Sequence, residues 1–110
     1  MSGWYELSKS GDGQFRFVLK AANAEIILTS ELYATRSAAE GGIASAQANS
    51  PNDERYEKKV ASNGQSFFNL KAANHQVIGS SEQYSSTAAR DNGIASAKTN
   101  GPSSTIKDKT

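Results

Sequence analysis

The sequence predicts an α+β fold in which two tandem copies of a strand-rich unit, each followed by an alanine-rich helix, share one core. Three observations carry this. Sliding the chain of 110 residues against itself at an offset of 51 aligns residues 5–51 with 56–102 without a gap, and 22 of those 47 positions are identical. Within each copy, apolar residues alternate with polar ones at the period of a half-buried strand. Each copy then carries a run rich in alanine with a hydroxyl residue in front of it, the pattern of a capped helix.

Taken in chain order, Trp4 to Lys9 suits a first strand. Ser10-Gly11-Asp12-Gly13 reads as a turn whose glycines are free to adopt positive φ. Phe15, Phe17 and Leu19 alternate with Gln14, Arg16, Val18 and Lys20, which makes a second strand. Ala22-Asn23 offers a tight turn, because Asn tolerates the left-handed region. Ile26 to Ser30 is a third strand, and the short links make the three an antiparallel meander.

A helix is expected over 36–48, with Thr35 as N-cap and Asn49 and Pro51 ending it. Ala39, Ile43 and Ala46 form its apolar stripe. Gly42 costs about 1 kcal/mol there relative to alanine, and its recurrence at Gly93 implies close helix–sheet approach. The second copy repeats the plan, with strands over 55–61, 66–72 and 76–80 and a helix over 87–98. Residues 104–109 align with the opening strand of the second copy, so each unit reads as three strands, a helix and a closing strand. The segment around Tyr56 both closes the first unit and opens the second. Residues 1–51 form repeat one and 52–110 repeat two of a single domain. Units of about fifty residues are marginal alone, so a shared core and a monomer are expected.

Composition narrows the function classes. Val, Ile, Leu and Phe contribute only 18 residues, and alanine 16. Such scarcity accompanies disorder when net charge is high, but here the charge is +1 from 12 basic and 11 acidic residues. The near-neutral balance argues against a nucleic-acid binder, whose domain is normally strongly basic. With no cysteine, thiolate chemistry, disulfides and cysteine-ligated metal centres are excluded. Met1 to Leu7 shows neither the basic nor the apolar region of a secretory leader. No apolar run approaches the ~20 residues of a membrane helix, so no membrane partner and a cytoplasmic location are expected.

The repeated blocks are Phe17-x-Leu19-Lys20-Ala21-Ala22-Asn23, Ser30-Glu31-x-Tyr33 and Gly42-Ile43-Ala44-Ser45, each recurring 51 positions later. They resemble the YegP family of small bacterial proteins of unknown function, in its duplicated branch, over essentially the whole chain. The resemblance implies a β-β-β-α-β unit, two of which share one antiparallel sheet with exchanged closing strands and two helices packed on it about a pseudo-twofold axis. It implies a covalent counterpart of a dimer of single-repeat relatives. It implies no activity. Ser66 and Gly79 depart from Phe15 and Leu28, so exact symmetry is not expected.

Candidate sites are few. Lys20 and Asn23, with Lys71 and Asn74, would hold an anion if the fold gathered them around the axis. The plainer reading is a strand end, a turn and a solvated lysine. Glu31 and Glu82, with Tyr33 and Tyr84, offer carboxylates and hydroxyls for a polar ligand or a proton transfer. The plainer reading is a strand-to-helix connection with packed rings. His75 has Ala24 as its counterpart and stands alone, on an expected turn. No catalytic residue, metal ligand or cofactor motif is assigned. Arg55, Lys58 and Lys59 are interleaved with Asp53, Glu54 and Glu57 on one strand face. Trp4, Tyr5, Tyr56 and Phe67 are the aromatics that would stack on bases. The leading expectation is a non-catalytic binding or interaction module with an unknown partner. A weak binder of RNA or single-stranded DNA on the sheet face, and an enzyme with its site at the axis, are the alternatives.

Overall fold

The computed structural model describes residues 3–110; Met1 and Ser2, part of the leader reading and of repeat one, lie outside them. In chain order the elements are β1 (Trp4–Lys9), β2 (Phe15–Lys20), β3 (Ile26–Ser30), α1 (Arg36–Asn49), β4 (Tyr56–Val60), β5 (Ser66–Lys71), β6 (Val77–Ser80), α2 (Thr87–Asn100) and β7 (Ile106–Asp108), with a short 3-10 turn, Asp53–Arg55, before β4. One seven-stranded sheet runs β4-β5-β6-β3-β2-β1-β7. The chain is therefore α+β, as the sequence predicts, with the two meanders joined at β3 and β6.

Alternation sets the two faces. Tyr5, Leu7, Phe17, Leu19, Leu28, Phe68 and Leu70 point inward and are fully buried against Ala39, Ile43, Ala46, Ile94 and Ala97 of the helices. Trp4, Glu6, Arg16, Val18, Glu57, Lys59 and Phe67 alternate with them and lie on the helix-free face. Thr35 caps α1 by accepting from the Ala38 N–H, and Ser86 caps α2 by accepting from the Ala89 N–H.

Four hairpin turns share one plan. In residues 10–14, 21–25, 61–65 and 72–76 the first N–H donates to the fifth carbonyl, and the fourth N–H to the first carbonyl. The third residue, Asp12, Asn23, Asn63 or Asn74, accepts the fifth N–H on its side-chain oxygen. Each turn places its fourth residue in the left-handed region: Gly13 (φ 86°), Ala24 (φ 70°), Gly64 (φ 85°) and His75 (φ 70°). This corrects two expectations. Asn23 is not the left-handed residue, because its carboxamide serves the turn better as an acceptor from outside that region. Gly11 does not need positive φ, since only the fourth position does.

The shared sheet is antiparallel except at its last pair, where β7 runs parallel to β1. The reason lies at the end of α2. Asn100 Oδ1 accepts the Gly3 N–H, and the Ser103 hydroxyl donates to the Gly3 carbonyl. The chain thus leaves α2 beside the start of β1 and can only run on in its direction. The closing strand of repeat two is in this sense exchanged onto repeat one.

Candidate functional site

The pseudo-twofold axis passes between Thr29 and Ser80, which are paired across β3 and β6 and stand 51 positions apart. Lys20 and Asn23 lie beyond the start of β3, and Lys71 and Asn74 beyond the start of β6. Because β3 and β6 are antiparallel, the two groups sit at opposite ends of the sheet. The fold does not gather them. Lys20 instead pairs with Glu6 at 3.3 Å, and Lys71 with Glu57 at 3.1 Å. Both glutamates lie below the ordinary carboxylate range: Glu6 chiefly through the indole N–H of Trp4, Glu57 chiefly through the Asn69 amide. Asn23 and Asn74 are occupied in their own turns.

The Ser-Glu-x-Tyr blocks build the strand-to-helix link. The Ser30 hydroxyl accepts the Phe17 N–H at 2.9 Å and donates to the Glu31 carbonyl at 2.7 Å; Ser81 does the same for Phe68 at 3.0 Å and Glu82 at 2.7 Å. Each serine continues the backbone ladder where β3 or β6 stops. Tyr33 and Tyr84 then exchange both backbone bonds with Phe15 and Ser66. A Cβ at Gly42 would lie 2.7 Å from Tyr33 Cζ, and one at Gly93 2.8 Å from Tyr84 Cζ. These glycines admit the tyrosine rings, which is the close approach the recurring glycine implies. Burial and the nearby glutamate carboxylate push both phenols above their ordinary value. Glu31 and Glu82 are exposed and leave the axis in opposite directions.

The axis itself is filled. Leu28 is fully buried, and its counterpart Gly79 has no room for a side chain: a Cβ there would lie 2.9 Å from Leu28 Cγ and 2.8 Å from the Thr29 carbonyl oxygen. Where the helices end, Ser50 and its counterpart Gly101 also face each other, and a Cβ on Gly101 would overlap the Ser50 side chain. Tyr5 donates to the Gly101 carbonyl and Tyr56 to the Ser50 carbonyl, both at 2.7 Å, so each opening strand grips a helix end at the axis. Burial holds both phenols far above their ordinary value. Tyr5 is wholly buried and Tyr56 half-buried, so neither offers a stacking platform; of the four aromatics only Trp4 and Phe67 lie on the helix-free face.

Shallow clefts lie elsewhere among the described residues. One of about 280 Å³ lies between the β2–β3 turn and α2, beside Asn23, Glu25, Tyr84 and Asn92. One of about 220 Å³ holds Lys71 and His75 with Arg55 and Glu57. One of about 230 Å³ lies inside the β4 edge, lined by Asp53, Lys58, Asp91, Ile94, Ala95 and Lys98. The first sets Asn23 of one repeat beside Tyr84 of the other, but none of the three joins Lys20 and Asn23 to Lys71 and Asn74, or Glu31 to Glu82. Among the described residues, no three His, Asp or Glu side chains form a metal cluster. No described helix is long and apolar enough to cross a membrane.

The two ends of the sheet differ, which sequence reasoning missed. β1 is covered by β7, whereas β4 is bonded to β5 alone among the described residues. Inward positions on the β4 side have turned polar: Leu7, Phe15 and Ala39 become Lys58, Ser66 and Arg90. Asp91 holds Lys58 at 3.5 Å and Arg90 at 3.2 Å. The available signal was the alignment itself, in which these three apolar positions lose their character together.

Comparison with known proteins gives a consistent result. The family described as "Domain of unknown function (DUF1508)" matches twice, over residues 10–57 and 61–108. The UPF0339 protein YegP of Escherichia coli (strain K12) is 66% identical over 110 residues, all of both chains. A UPF0339 protein of Shewanella oneidensis is also 66% identical over the whole of both chains. The solution NMR structure of yegP from E. coli, a protein of unknown function, superposes with a TM-score of 0.95 at 65% identity, covering 100% of this chain and 95% of that one. The solution structure of the Shewanella protein gives 0.92 at 66% identity, covering 98% and 92%.

Proposed function

Starting from the fact that the chain belongs to the YegP (UPF0339) family, to which no function is assigned, we propose that it is a non-catalytic binding module that works as a monomer. The observation that carries this is the filled axis. In a fused pair of repeats the natural place for a shared active site is the seam, and here Leu28 and Ser50 occupy it against Gly79 and Gly101. The repeated Lys, Asn, Ser and Tyr side chains each have a structural partner within the fold. The test is chemical-shift mapping of the whole chain against a metabolite and oligonucleotide panel, run beside turnover assays on the same panel. Binding without turnover is the expected result, and reproducible turnover overturns the reading. Sedimentation should return the mass of one chain, since the internal pairing already supplies each repeat with its partner.

A second reading, single-stranded nucleic acid on the helix-free face, is favoured by one feature. Trp4 and Phe67 lie there with Arg16, Lys59 and Lys107, and the Lys107 ammonium sits 4.0 Å from the centroid of the Trp4 ring. Aromatic rings with interleaved cations suit base stacking. Titration with RNA and single-stranded DNA at two salt concentrations decides it; binding that ignores salt, or none, removes this reading.

A further inference from the structure

We infer that the β4 edge is a docking strand for an extended segment of a partner protein, bound parallel to β4, with an acidic residue opposite Lys58. The inference rests on the reading of the protein as a binding module and names where it binds and what it takes.

The template is inside the molecule. On the far side of the sheet, β7 lies parallel to β1 with Ile106 opposite Tyr5, Lys107 opposite Glu6 and Asp108 opposite Leu7. The pseudo-twofold maps β1 onto β4, so a strand set like β7 would lie along Tyr56, Glu57 and Lys58. In a symmetric pair of units that place would be taken by the closing strand of repeat one. Here that strand is β4 itself, because one segment closes the first unit and opens the second, and the sheet has seven strands.

The backbone of the edge is open beyond its first residue. In the β4–β5 ladder, Glu57 and Lys59 exchange bonds with Asn69 and Phe67, as the Ala61 N–H to Gln65 carbonyl bond at the turn requires. Tyr56, Lys58 and Val60 therefore turn their N–H and C=O groups away from the sheet. Among the described residues, only the Tyr56 N–H of these is taken, by the Asp53 carbonyl of the preceding 3-10 turn. Lys58 and Val60 are exposed, Val60 by 65%.

Charge selects the occupant. Lys58 and Arg90 share one carboxylate, Asp91, and Lys59 has no ion pair among the described residues. The edge thus carries a local positive surplus in a chain of net charge +1. Two copies meeting β4 to β4 would set these lysines against each other, and lending β7 to a second copy would uncover β1. A partner strand of the pattern apolar–x–acidic suffers neither cost. Its apolar residue would lie over the cleft of about 230 Å³ beside Ile94 and Ala95, and its acid would meet Lys58. This is strand addition at an exposed sheet edge, and the lysines also keep the edge from pairing indiscriminately.

The probe is a synthetic peptide with the sequence of residues 104–109, added to the ¹⁵N-labelled whole chain. The expected result is saturable shifts at the amides of Lys58 and Lys59, with slowed hydrogen exchange at Lys58. Lys58→Pro removes the outward N–H that this register uses without touching the ladder to β5, and should weaken binding by about tenfold more than Lys58→Ala does. Peptide carrying D108K should weaken by a similar factor and recover on Lys58→Glu, a variant that needs no backbone change. Shifts confined to β1 and β7, no shifts, or indifference to both variants overturn the inference. Turnover in the metabolite assays would overturn the module reading whatever the peptide does, so the two failures are distinguishable.

Discussion

Leu28 and Gly79 hold the same position in the two repeats and lie diagonally across the β3–β6 pair, close enough that only one of them can carry a side chain. The same solution appears at the helix ends with Ser50 and Gly101. At both places one copy is glycine, whereas Thr29 and Ser80, which pair across the axis without being fully buried, both keep their side chains. A duplicated chain can do this because its halves mutate independently.

Gly79→Leu should therefore destabilise the fold by about 1–3 kcal/mol through overpacking. Combined with Leu28→Gly, which alone leaves a cavity costing about 2–5 kcal/mol, it should cost less than the sum, with a coupling of about 1 kcal/mol or more. Urea midpoints of the four chains in the cycle measure this. Strict additivity would mean that the two positions do not compete for one space.

Gly42→Ala tests the helix–sheet approach. Alanine is favoured over glycine in a helix by about 1 kcal/mol, yet the added Cβ would lie 2.7 Å from Tyr33 Cζ. The expected outcome is a lower melting temperature, partly recovered in the double variant with Tyr33→Phe, which removes the hydroxyl nearest the new methyl. A rise in melting temperature for the single variant would contradict the packing.

Ser30→Ala and Ser81→Ala each take the acceptor from a ladder N–H, of Phe17 and Phe68 respectively. Leaving such a donor unpaired in the core costs about 1–3 kcal/mol. Amide exchange at Phe17 and Phe68 should accelerate selectively in the matching variant. By contrast Ser50→Ala should be neutral or raise stability by up to about 1 kcal/mol, because the buried Ser50 hydroxyl has no hydrogen-bond partner.

The pH dependence has a definite sign at its alkaline end. Burial raises the phenol pKa values of Tyr5 and Tyr56 above the ordinary 10.0. A raised pKa means that the folded state holds its proton more tightly than the unfolded chain, so stability is complete below 10 and falls as pH rises beyond it. Absorbance at the phenolate band should show Tyr5 and Tyr56 ionising together with unfolding. Smooth ionisation of all the tyrosines near 10 in the folded protein would refute their burial.

Much of the fold is legible in the chain because local rules and global packing agree. The offset of 51, the alternation in β1, β2 and β5, and the stripe Ala39–Ile43–Ala46 all point to the architecture found. Sequence and structure part where a residue's role depends on its turn partners: Ala24, and not Asn23, adopts the left-handed conformation. The candidate site was less legible. Lys20 and Lys71 look like a pair in the sequence, and antiparallel β3 and β6 carry them to opposite ends of the sheet.

The sequence by itself determines that there are two copies, which residues line the core, and that these 110 residues carry no cysteine and no apolar run long enough for a membrane helix. It does so because periodicity and composition are properties of the chain alone. Only the tertiary structure decides what the axis does to the copies. Equivalent residues become neighbours there, so one of each buried pair must shrink, and one shared segment leaves β4 uncovered while β1 is covered. Those asymmetries arise from distances between parts of the chain 51 residues apart, and no reading along the chain contains them.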